Sequence, residues 1–197
     1  MSKIPFFDII RGERRAGVHY ARPLEDEGAS APRRRLVIVG NPNVGKSVIF
    51  NRLTGRYVTV SNYPGTTVEI ARGRAQIGDT AFEVVDTPGM YSLRPLSEEE
   101  RVGRTILLNE HADVVLHVVD AKNLDRMLPF TFQLIEAGFR LVLVVNMLDE
   151  AERLGISLDL TRLARELEIP VVGTVALTGR GIDRLKEVLY EYARAGA

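Results

Sequence analysis

The 197 residues are enough for one domain with a full hydrophobic core and a short appendage. A formal net charge of zero provides no overall field that would attract nucleic acid, and the lack of cysteine excludes disulfides, zinc–thiolate sites and thiol catalysis. The sequence has neither a run of about eighteen apolar residues nor a signal-peptide pattern, so we expect a cytoplasmic location.

The first 34 residues mix charged residues with Pro, Gly and Ala, without an apolar period, and predict an irregular leader at 1–34. Within it, the apolar stretch IPFFDII at 4–10 leaves two interpretations open: docking on a partner or on the domain itself, or an unattached chain end. We expect the folded domain to cover residues 35–197.

From Arg35 onward, apolar runs typical of strands alternate with helical patterns. The sequence predicts strands at 35–40, 68–77, 80–86, 113–120, 140–146 and 170–176, and helices at 46–55, 97–110, 125–138, 157–168 and 181–195. Gly78 and Asp79 form a hairpin turn signal, and Ser97 with Glu100 has the spacing of a capping box. This α/β pattern indicates a mostly parallel six-stranded sheet with one antiparallel edge strand and helices on both faces.

The stretch GNPNVGKS at 40–47 fits the phosphate-loop pattern G-x-x-x-x-G-K-S/T, between a buried-type strand and an amphipathic helix. Backbone N–H groups of such a loop converge on phosphates, and a side chain at Gly45 would obstruct them. We expect Lys46 to reach the β- and γ-phosphate oxygens and the Ser47 hydroxyl to bind magnesium. The predicted nucleotide-binding residues here are Gly40, Asn41, Pro42, Asn43, Val44, Gly45, Lys46, Ser47 and Val48.

Two later stretches supply further parts of a nucleotide site. DTPG at 86–89 ends a predicted strand, where Asp86 can hold magnesium through a water and the Gly89 N–H can sense the γ-phosphate. NYPGTTVE at 62–69 lies in the long connection after the first helix, where a Thr hydroxyl or carbonyl would close over magnesium. The additional predicted contacts are Gly65, Thr66, Thr67, Thr87 and Pro88.

The stretch NMLD at 146–149 predicts the choice of base. The Asp149 carboxylate can accept two hydrogen bonds from the ring N–H and amino group of guanine, a donor pair that adenine lacks. Because an unpaired buried acceptor costs about 1–3 kcal/mol or more, we expect GTP and GDP to be selected over ATP. Asn146 opens this stretch, and Met147 stands where GTPases usually carry Lys; its thioether can still cover one face of the base.

Together with HADVVLHVVDAKNLDR at 111–126 and NMLDEAERLGI at 146–156, these motifs resemble the cytosolic G domain of the ferrous iron transport protein B family, FeoB. The resemblance covers Arg35–Ala197 and implies a Ras-like P-loop GTPase fold, Mg²⁺-dependent GTP hydrolysis and a link to ferrous iron uptake. It also implies that Thr67 faces magnesium and that Asn43 binds a potassium ion between the phosphates. The backbone near Ser61 and Tyr63 would complete the shell of that ion.

Some assignments stay open at this point. From the residues alone, Asn43 is equally well interpreted as a turn-stabilising residue. Met90 stands where many GTPases have a water-orienting glutamine, which predicts slow hydrolysis in isolation; alternatively, it simply packs on the sheet. In the last loop, either Ala176 or Leu177 presents its backbone N–H to the guanine carbonyl. The predicted catalytic residues are Lys46, Asn43, Thr67 and Gly89.

Three function classes follow from these residues. The first is a switch enzyme in which GTP orders residues 56–70 and 86–100; the second is a regulatory module with negligible hydrolysis that signals to a membrane partner. The third is an ATP-using kinase. The resemblance implies a membrane iron-permease domain or partner, hence a position at the inner face of the membrane, and leaves self-association open. His19, His111 and His117 are scattered, which favours structural roles over iron binding.

Overall fold

The computed structural model describes residues 33–55 and 58–195. Within these ranges a single sheet has seven strands: β1 (Arg34–Val39), β2 (Val58–Asn62), β3 (Glu69–Ile77), β4 (Thr80–Asp86), β5 (Val114–Asp120), β6 (Leu141–Asn146) and β7 (Val171–Gly173). The helices are α1 (Lys46–Thr54), α2 (Glu98–Asn109), α3 (Leu124–Glu136), α4 (Leu148–Arg153), α5 (Leu160–Leu167) and α6 (Ile182–Arg194). The predicted leader lies outside the described residues except for Arg33 and Arg34, and β1 begins one residue before the predicted domain start.

The strand order is β2-β3-β4-β1-β5-β6-β7. Strands β4, β1, β5, β6 and β7 pair in parallel, whereas β3 runs antiparallel to β4 and β2 runs antiparallel to β3. The mixed, mostly parallel α/β architecture is therefore confirmed, with seven strands in place of the six predicted. The additional strand is β2, whose five residues are all exposed; it is held by backbone pairing with β3 and carries no buried face that a sequence pattern could reveal.

Helices cover both faces of the sheet. On one face, Ile38 and Leu116 pack in a cluster with Leu185 and Leu189 of α6. On the other face, the apolar cluster joins β1 to α2 and α3. Every residue of β5 is buried, as expected for a central parallel strand covered on both sides. The predicted capping box of α2 is confirmed, because the Ser97 side chain accepts from the Glu100 N–H and the Glu100 carboxylate accepts from the Ser97 N–H.

The parallel strands bring the site together at one edge of the sheet. The loop after β1, Asp86 at the end of β4 and Asn146 at the end of β6 all lie at the carboxyl ends of the strands. In open α/β sheets this edge is where ligands bind. None of the helices in the described ranges has the length and apolar character that a membrane crossing requires.

Candidate nucleotide-binding site

A cavity of about 340 Å³ opens at the carboxyl edge of the sheet, and its size suits a small ligand. It lies between the loop after β1, the start of α4 and the loop that follows β7. It is lined by the predicted residues Asn43, Gly45, Lys46, Ser47, Val48, Asn146, Met147, Asp149, Ala176 and Leu177, together with Glu150 and Val175. Sequence reasoning missed these last two, which have no motif of their own and are signalled only by their adjacency to predicted contacts.

The backbone of the phosphate loop requires its two glycines. Gly40 has φ 143° and Gly45 has φ 95°, conformations that favour glycine. A Cβ atom on Gly40 would lie 2.2 Å from the Val118 carbonyl oxygen, and one on Gly45 would lie 2.3 Å from Asn146 Nδ2. Both glycines are therefore required by the close approach of neighbouring protein atoms, independently of any ligand.

Asn43 adopts φ 63°, in the left-handed region that Asn tolerates better than most residues. This conformation supports the turn-stabilising interpretation. The side chain is also exposed and lines the cavity, so it is accessible to a ligand or ion. Its binding of potassium stays a prediction.

The Lys46 side chain is buried along the loop, with its ammonium donating to the Asn41 carbonyl oxygen at 2.9 Å. Burial lowers the pKa of Lys46, and the charge of Asp86 opposes that shift. The Asn41 Oδ1 atom is buried without a hydrogen-bond partner. The loop thus holds a desolvated cation, and an anionic ligand would stabilise its charged form.

Ser47 and Asp86 form the oxygen-rich side of the site. The Ser47 hydroxyl donates to Asp86 Oδ2 at 2.7 Å, while Asp86 Oδ1 is buried without a partner. Burial raises the pKa of Asp86, against the hydrogen bond from Ser47 and the charge of Lys46. Mg²⁺ prefers oxygen ligands, and this hydroxyl and the carboxylate oxygen without a partner are ligands of that kind, so these residues fit that ion.

The predicted threonine stretch lies elsewhere in this structure. Gly65, Thr66 and Thr67 form the turn between β2 and β3, and none of them lines the cavity. The Tyr63 carbonyl oxygen accepts from both the Thr66 N–H (3.0 Å) and the Thr66 hydroxyl (2.9 Å). Thr67 is exposed and away from the cavity lining, so its contact with magnesium stays a prediction that requires this turn to move.

The DTPG stretch is tied to the sheet. Thr87 was predicted as a nucleotide contact, but it is buried, and its N–H and hydroxyl both donate to the Ile38 carbonyl oxygen. Pro88 and Gly89 do not line the cavity either. A Cβ atom on Gly89 would lie 2.5 Å from Pro42 Cγ, which explains why glycine is needed there.

Met90 is fully buried in the cluster that joins the sheet to α2, and its N–H donates to the Gly40 carbonyl oxygen at 3.0 Å. The alternative that Met90 packs on the sheet is confirmed. A buried thioether cannot orient a water molecule in the cavity.

Asn146, the last residue of β6, connects two loops of the site. Its Nδ2 donates to the Val44 carbonyl oxygen (2.9 Å), and its Oδ1 accepts from the Thr174 hydroxyl (2.9 Å) and the Ala176 N–H (3.0 Å). Its side chain thus holds the phosphate loop against the loop after β7. In this structure the Ala176 N–H is already donated to Asn146, which favours Leu177 over Ala176 as the predicted donor to a guanine carbonyl.

Asp149 lies in the first turn of α4 and points one carboxylate oxygen at Arg153 Nη2, 3.1 Å away. Met147 precedes it with φ 62°, a strained conformation for a non-glycine residue. The Leu148 N–H donates to the Thr174 carbonyl oxygen at 3.2 Å and so fixes the start of the helix. Strain of this kind is typical of functional sites, and here it lies within the stretch predicted to contact the base.

Two of the three histidines, His111 and His117, lie in the described ranges. In the part of the chain that the structure describes, no group of three or more His, Cys, Asp or Glu side chains is placed to hold a metal ion. His111 is exposed, whereas His117 is buried in β5 with Nδ1 3.1 Å from the Thr131 hydroxyl. His19 lies outside the described residues.

Comparison with known proteins identifies the family. The family profile described as Ferrous iron transport protein B matches residues 34–189. The chain belongs to the ferrous iron transport protein B family. A fusion of Fe(2+) transport protein A and Fe(2+) transporter FeoB from Porphyromonas gingivalis is 46% identical over 156 residues, which cover 79% of this chain and 18% of the relative. The chain spans about a fifth of the length of the curated relatives it matches.

Solved structures agree with this assignment. The FeoB G-domain from Methanococcus jannaschii is 37% identical with a TM-score of 0.73, covering 83% of this chain and 99% of that one. The cytosolic domain of the T. maritima FeoB iron transporter in a GMPPNP form is 36% identical with a TM-score of 0.76, covering 81% of this chain and 64% of that one. The chain therefore contains the P-loop GTPase domain of the FeoB family.

Proposed function

We propose that this FeoB-family domain binds GTP with Mg²⁺ and hydrolyses it to GDP and phosphate, as a potassium-stimulated nucleotide switch linked to ferrous iron uptake. The observation that carries the proposal is that Lys46, Ser47 and Asp149 all line one cavity. A cation and a hydroxyl suit a polyphosphate with its magnesium, and a carboxylate suits the donor edge of guanine.

The side chains proposed to bind the phosphates and Mg²⁺ are already held in position by the protein. Lys46 would leave the Asn41 carbonyl oxygen and bind the β- and γ-phosphate oxygens, which satisfy its desolvated ammonium better than a neutral carbonyl does. Ser47, and Asp86 through a water molecule, would hold Mg²⁺, which would supply positive charge against the β- and γ-phosphates. The T. maritima relative solved in a GMPPNP form supports a triphosphate-shaped site in this family.

The base end would select guanine through Asp149 and Leu177. Asp149 would accept from the ring N–H and the amino group, and the Leu177 N–H would donate to the base carbonyl. Met147, half-buried beside them, would cover one face of the ring. These groups favour GTP over ATP, which argues against an ATP-using kinase.

Hydrolysis would depend on groups other than Met90. Asn43 at the cavity wall would hold a potassium ion against the phosphates, doing the charge-stabilising work of an arginine finger. The Gly89 N–H and the turn containing Thr67 would close on the γ-phosphate, so residues 56–70 and 86–100 would change state on hydrolysis. A membrane iron-permease domain or partner would respond to that conformational change. Whether two copies of the domain associate stays open.

Phosphate release from GTP, measured in potassium chloride and in sodium chloride, tests the proposal. We expect at least a tenfold potassium-specific rise in the native chain, since charge stabilisation of this kind contributes about tenfold or more. Asn43→Ala and Asn43→Gly should both lose the rise, and Asn43→Gly, which keeps the left-handed backbone conformation accessible, should retain GDP binding. The matched control is Asn51→Ala, which removes an exposed Asn of α1 from outside the cavity lining and should behave as native. Equal turnover in both salts would contradict the role of Asn43.

The burial of Met90 favours one other candidate, a regulatory module that holds GDP or GTP, hydrolyses negligibly and signals to a membrane partner. No turnover in either salt, combined with tight GDP binding, would support this module over the switch enzyme. The two candidates share the same nucleotide site and differ only in the chemical step.

A further inference from the structure

The loop that follows β7 carries the proposed contact to the guanine carbonyl, and we call residues 174–181 the base loop. The base loop is closed on itself, because the Val175 N–H donates to the Arg180 carbonyl oxygen (2.9 Å) and the Thr178 N–H donates to the Val175 carbonyl oxygen (3.1 Å). At its tip the Leu177 side chain is 75% exposed. Packing of that side chain therefore cannot fix the peptide that contains the Leu177 N–H.

Arg52 contacts this peptide from the last turn of α1. Its Nε donates to the Ala176 carbonyl oxygen at 3.0 Å, and its Nη2 donates to the Leu177 carbonyl oxygen. The guanidinium thus binds two successive backbone carbonyls with two N–H groups of its rigid fork. Lysine, with a single ammonium on a flexible stem, could not reproduce that geometry.

The direction of the Leu177 N–H follows from this contact. In a trans peptide the C=O of one residue and the N–H of the next point in opposite directions. With the Ala176 carbonyl held by Arg52, the Leu177 N–H points away from Arg52. The preceding peptide is fixed separately, since the Ala176 N–H donates to Asn146.

We propose that Arg52 is a positioning residue that orients the Ala176–Leu177 peptide so that the Leu177 N–H donates to the 6-carbonyl oxygen of guanine. This inference rests on the proposed function of the same site. It makes Arg52, which does not line the cavity, a determinant of base specificity and of the lifetime of bound nucleotide.

The test compares GDP with 6-thio-GDP, which keeps the ring N–H and amino group but carries a weakly accepting sulfur at position 6. Stopped-flow release and equilibrium titration are run with the native chain, Arg52→Ala and Arg52→Lys. We expect Arg52→Ala to weaken GDP about fivefold, mainly through faster release, because one neutral hydrogen bond is lost. The preference for GDP over 6-thio-GDP should fall towards one, with Arg52→Lys intermediate.

The matched control is Arg162→Ala, which removes a mostly exposed arginine of α5 that pairs only with Glu166 at 3.8 Å in the described structure. This control should leave the affinities and release rates of both nucleotides unchanged. Equal weakening of GDP and 6-thio-GDP by Arg52→Ala, or release within twofold of native, would overturn the inference. If Arg52→Ala does not fold, the ratio of GDP affinity to 6-thio-GDP affinity in Arg52→Lys tests the inference instead. Failure of the native chain to bind GDP would instead contradict the proposed function.

Discussion

The Asn146 side chain forms three hydrogen bonds to two loops of the site, so we expect its replacement by alanine to destabilise the folded protein. Asn146→Ala removes the partners of the Val44 carbonyl oxygen, the Thr174 hydroxyl and the Ala176 N–H. Asn146 and its three partners are all buried, so water reaches the three groups left without a hydrogen bond poorly. At about 1–3 kcal/mol for each unsatisfied group, with partial relief by water, we expect a loss of about 3–5 kcal/mol in the free energy of unfolding.

Urea denaturation without nucleotide measures this loss, which would be a large fraction of the stability of an ordinary domain. The control is Asn123→Ala, which removes one side-chain hydrogen bond, from Nδ2 to Asp120 Oδ2 at 2.9 Å, at a half-buried position. We expect that control to cost about 1 kcal/mol. A loss below about 1 kcal/mol for Asn146→Ala would refute the view that Asn146 holds the loops together.

Two further changes test other parts of the site, and a third tests the buried core. Asp149→Asn should weaken GDP about a hundredfold and favour xanthosine diphosphate, whose C2 oxygen can accept from the new amide; unchanged GDP affinity in a competition titration would contradict this. Gly89→Ala places a Cβ 2.5 Å from Pro42 Cγ, so GTP turnover should fall about tenfold, and native turnover would argue against a role for this loop. Burial, with a smaller effect of the Lys46 charge, lowers the pKa of His117 from 6.5 to about 3. The unfolded chain therefore binds this proton first, and stability falls by about 1.4 kcal/mol per pH unit as the pH drops from about 6.5 towards 3. His117→Leu should remove that contribution in urea unfolding at about pH 6 and about pH 4.5, whereas an unchanged slope would show that His117 is not held neutral.

A local motif was enough to predict that Gly45, Lys46 and Ser47 lie together at the cavity. The glycines, Lys46 and Ser47 are adjacent in sequence, and their chemistry follows from spacing alone. The capping box of α2 was predictable for the same reason, because Ser97 and Glu100 lie within one turn. Strand β2 was missed because its stability comes from backbone pairing along an exposed edge, which leaves no apolar pattern.

Features that depend on distant contacts could not be found in the sequence. Helix α4 is six residues long and begins after a left-handed Met147, so it shows neither an apolar period nor a capping residue. The donation of the Ala176 N–H to Asn146 joins residues 30 positions apart, and the contact of Arg52 with the Leu177 carbonyl spans 125 positions. The burial of Thr87 depends on its double contact with the Ile38 carbonyl oxygen, which only the packed sheet creates.

The central claim is that Lys46 binds the phosphates of a nucleotide whose base is selected by Asp149. Calorimetric titration of GDP and ADP into the native chain and into Lys46→Ala measures both parts directly. We predict that the native chain prefers GDP over ADP by about a hundredfold or more, and that Lys46→Ala loses most of its GDP affinity. Equal affinity for GDP and ADP, or undiminished GDP binding by Lys46→Ala, would contradict the account.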